Sequence, residues 1–241
     1  MDKAAALSEL VAKRRIETGA AYHHLHTFDM GCWDCEYVVP WTKSACNLDA
    51  QLMIIGQDWI SEDFLMNPRY NTPKRVQDRK RLGQDEYLPT NQRLKSLLFK
   101  HFRMKFSETY ATDVSVFIRP GDMSGPVPIK DLAYCAEKYT LPQIVIVRPA
   151  MALCLGAKTF NSIRRAMNEA DLRLSEASIP ASHTVYELTE IYGVSHTGGR
   201  GYANAGGAEN VDRIWAALAA RFVELRHRRE KRHSVPAVPA C

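Results

Sequence analysis

Residues 51–59 read QLMIIGQDW, an apolar run that ends at a glycine and continues directly into polar side chains. A short apolar run closed by glycine is typical of a buried parallel strand whose carboxyl end opens into a loop, where open α/β sheets bind their ligands. We therefore expect Asp58 at the mouth of a binding site. The local pattern equally fits a simple turn in which Asp58 caps a short helix.

Other segments repeat the order of strand, loop and helix. Apolar and alternating patterns predict further strands at 110–117, 151–156, 182–188 and 191–195. Helical spacing of apolar residues predicts helices at 4–16, 93–102, 129–147, 157–170 and 209–229. The alternation predicts an α/β fold, a three-layer sandwich with a central, mainly parallel sheet of about four or five strands flanked by helices.

The chain of 241 residues is long enough for one α/β domain with a sizeable core. We predict an accessory helix and lead-in at 1–30, the main domain at 31–225, and a basic, disordered tail at 226–241. The polar segment 66–83 is predicted to be a long loop, and basic residues cluster within it at 74–81. Such clusters are usually solvated faces, but they are also what phosphate binding requires.

Composition also predicts the compartment. No stretch approaches the ~20 consecutive apolar residues of a transmembrane helix, and charged residues stand where a signal peptide has its apolar region. The six cysteines form no disulfide framework, which fits a reducing environment. We therefore expect a cytoplasmic monomer with no membrane partner.

A glycine-rich loop at 196–207 follows the last predicted strand and begins with His196. It lacks the ordered G-x-G-x-x-G of dinucleotide-binding folds, and no Walker lysine follows its glycines. Both nucleotide-binding interpretations are therefore set aside. What remains is a histidine at the end of one strand and Gln57 with Asp58 at the end of another.

These two strand ends resemble the motifs of the uracil-DNA glycosylase superfamily, and the resemblance runs from about residue 32 to about residue 222. Gly56-Gln57-Asp58 is similar to the first motif, and Val194-Ser195-His196-Thr197 is similar to the second. The resemblance implies that Asp58 orients or activates the attacking water and that Gln57 contacts the base. It also implies that His196 donates a hydrogen bond to uracil O2.

The flanking sequence resembles the iron-sulfur branch of that superfamily, which implies a cluster held by four cysteines. Cys32, Cys35 and Cys135 match three of them, while the fourth position, before Arg119-Pro120, is Ile118. A [4Fe-4S] cluster normally needs four thiolates, so the implied cluster lacks one ligand. A zinc site made by Cys32, Cys35 and the nearby histidines is an alternative, although the spacing matches no standard finger.

Two further positions depart from the family pattern. Asp113 stands where the family has an asparagine that reads the base edge, and an ionised carboxylate only accepts hydrogen bonds. Asp113 therefore suits a base with an amino group, or else it is only structural. Trp59 follows the first motif, so the wall beside the base is large and apolar.

The remaining predicted contacts come from nearby segments. Phe64 or Tyr70 is a candidate to stack on an extruded base. Arg200 and Tyr202, with Thr197, lie on the loop that the family presses into DNA.

We therefore expect a repair-type DNA glycosylase whose partner is DNA that carries a deaminated or modified base. One alternative is a binding protein of the same fold with weak or no catalysis. A second alternative is a metal-binding protein.

Overall fold

The computed structural model describes residues 2–17, 22–123, 125–181 and 183–233. Its strands are β1 (Leu52–Asp58), β2 (Tyr110–Ser115), β3 (Met151–Leu155), β4 (Thr184–Tyr186) and β5 (Thr189–Val194). They form one sheet in the order β2-β1-β3-β5-β4, in which all neighbours are parallel except β4 and β5. The predicted α/β fold with a central, mainly parallel sheet is confirmed.

Helices surround this sheet. They are α1 (Lys3–Ile16), α2 (Glu62–Met66), α3 (Pro73–Leu82), α4 (Pro89–Leu97), α5 (Ile129–Cys135), α6 (Leu141–Val147), α7 (Ala157–Ala166), α8 (Leu174–Ala177), α9 (Gly199–Asn204) and α10 (Ala208–His233). Single π-helical turns extend α4 over Leu98–Phe102 and join α5 to α6 over Ala136–Thr140. Across the described ranges, no helix combines the length and apolarity needed to cross a lipid bilayer.

Strand β1 lies inside the sheet, and its position explains its sequence. Leu52, Met53, Ile54 and Ile55 are fully buried because β2 and β3 flank the strand and helices cover both faces. Burying a side chain of this size stabilises the fold by ~1.5–3 kcal/mol. A strand buried on both faces must be apolar throughout, which is the pattern at 51–59.

The prediction of a long loop at 66–83 is wrong, because residues 73–82 form α3. Thr72 caps the helix by accepting from the Arg75 N–H, and Pro73 occupies the first turn. Gly83 ends it in the left-handed conformation, at φ 68°. These are ordinary helix start and stop signals. The helix was missed because the segment is polar and has no apolar face, since Arg79 is its main buried residue.

The disordered tail predicted at 226–241 is also wrong for its first part, since α10 continues to His233. Arg229 anchors this end of the helix by donating to the carbonyl oxygens of Arg148, Pro149 and Leu188, each at 2.7 Å. Residues 234–241 lie outside the described residues. Part of the predicted glycine-rich loop is likewise helical, as α9.

Candidate active site

The carboxyl ends of β1, β2, β3 and β5 border a cavity of about 390 Å³, within the ~300–1,000 Å³ typical of small-molecule sites. The predicted site residues that line it are Gly56, Gln57, Asp58, Trp59, Asp113, His196 and Thr197. The parallel register sets two of them side by side, because Gly56 pairs with Asp113 across β1 and β2. The sheet edge predicted from 51–59 is therefore the one that carries the cavity.

Asp58, the last residue of β1, has a cation beside it. Its Oδ2 lies 3.3 Å from Nε of Arg119, and the side chains are 10% and 6% exposed. The two atoms lack hydrogen-bond geometry, so their attraction is one of charge. On the other oxygen, the Gln57 amide donates to Oδ1 at 2.9 Å. Both neighbours stabilise negative charge on the Asp58 carboxylate.

Asp113 lies one strand away in a very different environment. Only 3% of the residue is exposed, and its Oδ2 has no hydrogen-bond partner. Burial raises the pKa of the Asp113 carboxyl well above its usual range, and the nearby charge of Asp58 raises it further. The site therefore favours the protonated, neutral form of Asp113.

Gly56 is what allows the Asp113 carboxyl to lie against β1. A Cβ atom at position 56 would be 2.1 Å from Asp113 Oδ1 and 3.2 Å from the Trp41 ring. Atoms in proteins do not approach so closely. Any side chain at this position would therefore displace the carboxyl from the cavity wall.

His196 follows β5, and the peptide backbone selects its tautomer. The Gly198 N–H donates to His196 Nδ1 at 3.1 Å. Because a peptide nitrogen only donates, Nδ1 is unprotonated and the neutral ring carries its proton on Nε2. The residue is open to solvent on its cavity side. Protein packed around the ring nevertheless lowers the pKa of His196 below 6.5 through desolvation, while the charge of Asp58 acts in the opposite direction.

Two more predicted residues connect the cavity to neighbouring elements. The Trp59 indole N–H donates to the Gly83 carbonyl oxygen at 2.7 Å, which ties β1 to the end of α3. The Thr197 hydroxyl donates to the Thr90 carbonyl oxygen at 3.0 Å, which ties the His196 loop to α4. The helix predicted at 93–102 begins earlier than expected, at Pro89.

Phe64, Arg200 and Tyr202 do not line the cavity. Phe64 is buried, and its ring stacks on Tyr70 with centroids 4.4 Å apart, so each ring covers a face of the other. Arg200 is exposed on α9. Tyr202 is partly buried, with the Arg93 guanidinium 5.4 Å from its ring centroid. The structure brings none of these three side chains together with Asp58 and His196.

The cysteines do not form a ligand set. Cys35 donates its thiol hydrogen to the Tyr37 carbonyl oxygen at 3.4 Å, and burial raises the pKa of Cys135 to about 11. Cys32 packs in a small apolar cluster with the fully buried Ile118, which stands at the fourth cluster position. Within the described ranges, no group of three or more His, Cys, Asp or Glu side chains is arranged to hold a metal ion.

Two residues that line the cavity were not predicted from the sequence to be functional. One is Arg119, the cation beside Asp58. The other is Asp85, whose Oδ2 accepts from Arg75 at 2.6 Å and from the fully buried Arg79 at 3.2 Å. The sequence signal for Arg119 was its place just after β2, the neighbour of β1. Nothing local links Asp85 to the cavity.

The cavity thus combines a stabilised carboxylate, a neutral carboxyl and a neutral imidazole that donates from Nε2. Such a set supports chemistry in which charge develops on a bound ligand. Comparison with models of known protein families and with curated protein sequences found no match.

Proposed function

We propose that this protein is a DNA glycosylase, similar to the uracil-DNA glycosylases, that hydrolyses the N-glycosidic bond of a uracil-like base. The observation that carries the proposal is the contrast between two carboxyls in one cavity. Asp58 has a guanidinium at 3.3 Å, whereas Asp113 is 3% exposed and has the charge of Asp58 as its neighbour. Carboxyls placed in such different surroundings are characteristic of acid-base active sites.

The proposed reaction uses each group in one role. The bond between C1′ of the sugar and the base nitrogen breaks, and its electron pair goes to the base. The Nε2–H of His196 donates to the base oxygen on which negative charge develops. The Asp58 carboxylate stabilises the cationic sugar and orients the water that adds to C1′; the proton lost by this water reaches the departing base through solvent. The products are a free base and an abasic site.

Asp113 is proposed to read the edge of the base. A protonated carboxyl presents one O–H donor and one carbonyl acceptor, as an amide does. It therefore matches the adjacent C=O and N–H of uracil or of another deaminated base. With Asp113 taken as ionised, the sequence left two alternatives open, an amino-bearing base or a purely structural role for Asp113. Burial changes that expectation through the protonation state.

The proposal is tested by single-turnover cleavage of oligonucleotides that carry uracil, hypoxanthine, xanthine or unmodified bases, with alkali used to reveal abasic sites. Asp58→Ala should slow release by about 10²–10⁴-fold and His196→Ala by about 10²–10³-fold. Asp49→Ala is the matched control, because that carboxylate is 88% exposed and pairs with Lys3. It should cleave as wild type does.

Release of no base by the wild-type protein would contradict the proposed activity. Continued DNA binding under those conditions would instead indicate a binding protein of the same fold. Equal activity in wild type and Asp58→Ala would remove the carboxylate from the mechanism.

A further inference from the structure

An exposed aromatic ring stands at the rim of the cavity. Tyr87 is 50% exposed and lies between Asp85 and Leu88, both of which line the cavity. Its backbone N–H donates to Asp85 Oδ1 at 3.0 Å, which anchors this stretch of main chain to the cavity wall. The ring is thus held beside the site without being part of it.

Two cations, Lys74 and Arg75, lie next to the Tyr87 ring. Lys74 Nζ lies 5.4 Å from the ring centroid and donates to the Tyr87 hydroxyl at 2.7 Å, so it sits at the hydroxyl edge. The Arg75 guanidinium lies 5.5 Å from the centroid and is held there by Asp85. The ring remains 50% exposed beside these two cations.

The helix beside the ring is strongly basic. Residues 73–82, which form α3, carry five lysines and arginines and one acid, Asp78. Asp78 is shared by Lys74 at 2.9 Å and Arg81 at 3.1 Å, while Lys80 is also exposed. Asp85 pairs with Arg75 and Arg79 as well, and two carboxylates cannot balance five cations. The rim therefore attracts a polyanion such as a nucleic-acid backbone.

We propose that Tyr87 is a stacking platform for an unpaired base next to the target nucleotide in single-stranded DNA, with Lys74 and Arg75 facing the adjacent phosphates. The proposal rests on the proposed glycosylase function and extends it to the form of the substrate. Aromatic rings flanked by cations hold unpaired bases in single-strand binding proteins. A base inside a duplex offers no free face. Tyr202 is less suited, since its ring is partly buried against the hydrophobic core.

The test is a binding cycle measured by fluorescence anisotropy on labelled single strands. The target is 2′-fluoro-2′-deoxyuridine, whose electron-withdrawing fluorine resists glycosidic cleavage, and the base on either flank is present or replaced by an abasic analogue. Tyr87→Ala should weaken binding of the intact strand by roughly 5- to 150-fold, the range for one stacked base. Loss of the base on one flank should weaken wild type similarly and leave Tyr87→Ala unchanged.

Two variants control for indirect effects. Tyr87→Phe keeps the ring and should bind nearly as wild type does. Phe99→Ala removes an aromatic residue that is 63% exposed beside a lysine but does not line the cavity, and it should bind as wild type does. An equal loss in Phe99→Ala, or an equal loss by Tyr87→Ala on a matched duplex, would overturn the platform.

The readout separates this inference from the glycosylase activity. Binding that depends on Tyr87 without any base release would keep the platform and refute the activity. Base release with wild-type affinity in Tyr87→Ala would do the reverse. Absence of single-strand binding by the wild-type protein would overturn the platform.

Discussion

Replacing Asp113 by asparagine isolates the protonation state on which the proposed base reading depends. Burial raises the pKa of this carboxyl above its ordinary value of 3.8, so folding takes up a proton at pH values between the two. The contribution of protonated Asp113 to the free energy of unfolding is thus fully present below pH 3.8. It is lost as pH rises toward the folded-state pKa. The loss amounts to ~1.4 kcal/mol per pH unit. Asparagine takes up no proton and shows no such loss.

The assay is urea denaturation of wild type and Asp113→Asn at about pH 5, 6 and 7, followed by tryptophan fluorescence. The variant's free energy of unfolding should rise relative to that of wild type as pH increases, by ~1.4 kcal/mol per pH unit over the range in which folded Asp113 stays protonated. Other titrating groups cancel in this difference. A margin that does not change with pH would show that Asp113 folds as a carboxylate and would refute the reasoning. In the cleavage assay, Asp113→Asn should keep activity on uracil.

Three further predictions concern the same cavity. Gly56→Ala places a Cβ 2.1 Å from a carboxyl oxygen and should cost ~1–3 kcal/mol of unfolding free energy. Gly199→Ala, which meets no atom within 4 Å, is its control; equal losses would contradict the steric account. Arg119→Met leaves the buried Asp58 without its cation and should cost ~3–5 kcal/mol, most of it regained in the double variant with Asp58→Asn. Cleavage at low substrate should fall to half its plateau only at a pH below 6.5, because His196 has a lowered pKa; a half-point above pH 6.5 would exclude the neutral imidazole as donor.

The sequence predicted those strands in which consecutive residues are all buried. A strand covered on both faces must be apolar throughout, so β1 and the site at its end were visible in 51–59. The His196 strand end was visible for the same reason. Segment 66–83 was misassigned because α3 exposes nearly all of its surface and has no apolar periodicity, although Thr72 and Gly83 mark its ends.

The electrostatics of the cavity were not predictable from sequence. The ion pair of Asp58 with Arg119 joins residues after two different strands, and only the strand order brings them together. The neutral state of Asp113 depends on how completely the fold removes it from water. Local sequence encodes neither quantity.

The hydrogen bond from the Gly198 N–H to His196 Nδ1 sets the tautomer of His196 through the main chain and not through a second side chain. In many active sites a carboxylate holds the histidine, and one substitution there reverses the ring. Here the donor is a peptide group, and position 198 is restricted to glycine because a Cβ there would lie 2.9 Å from His196 Nδ1. Substitutions elsewhere in the pocket therefore leave the proton on His196 Nε2. Residues of the cavity wall, including Asp113, can therefore be substituted while the neutral imidazole keeps its proton on Nε2.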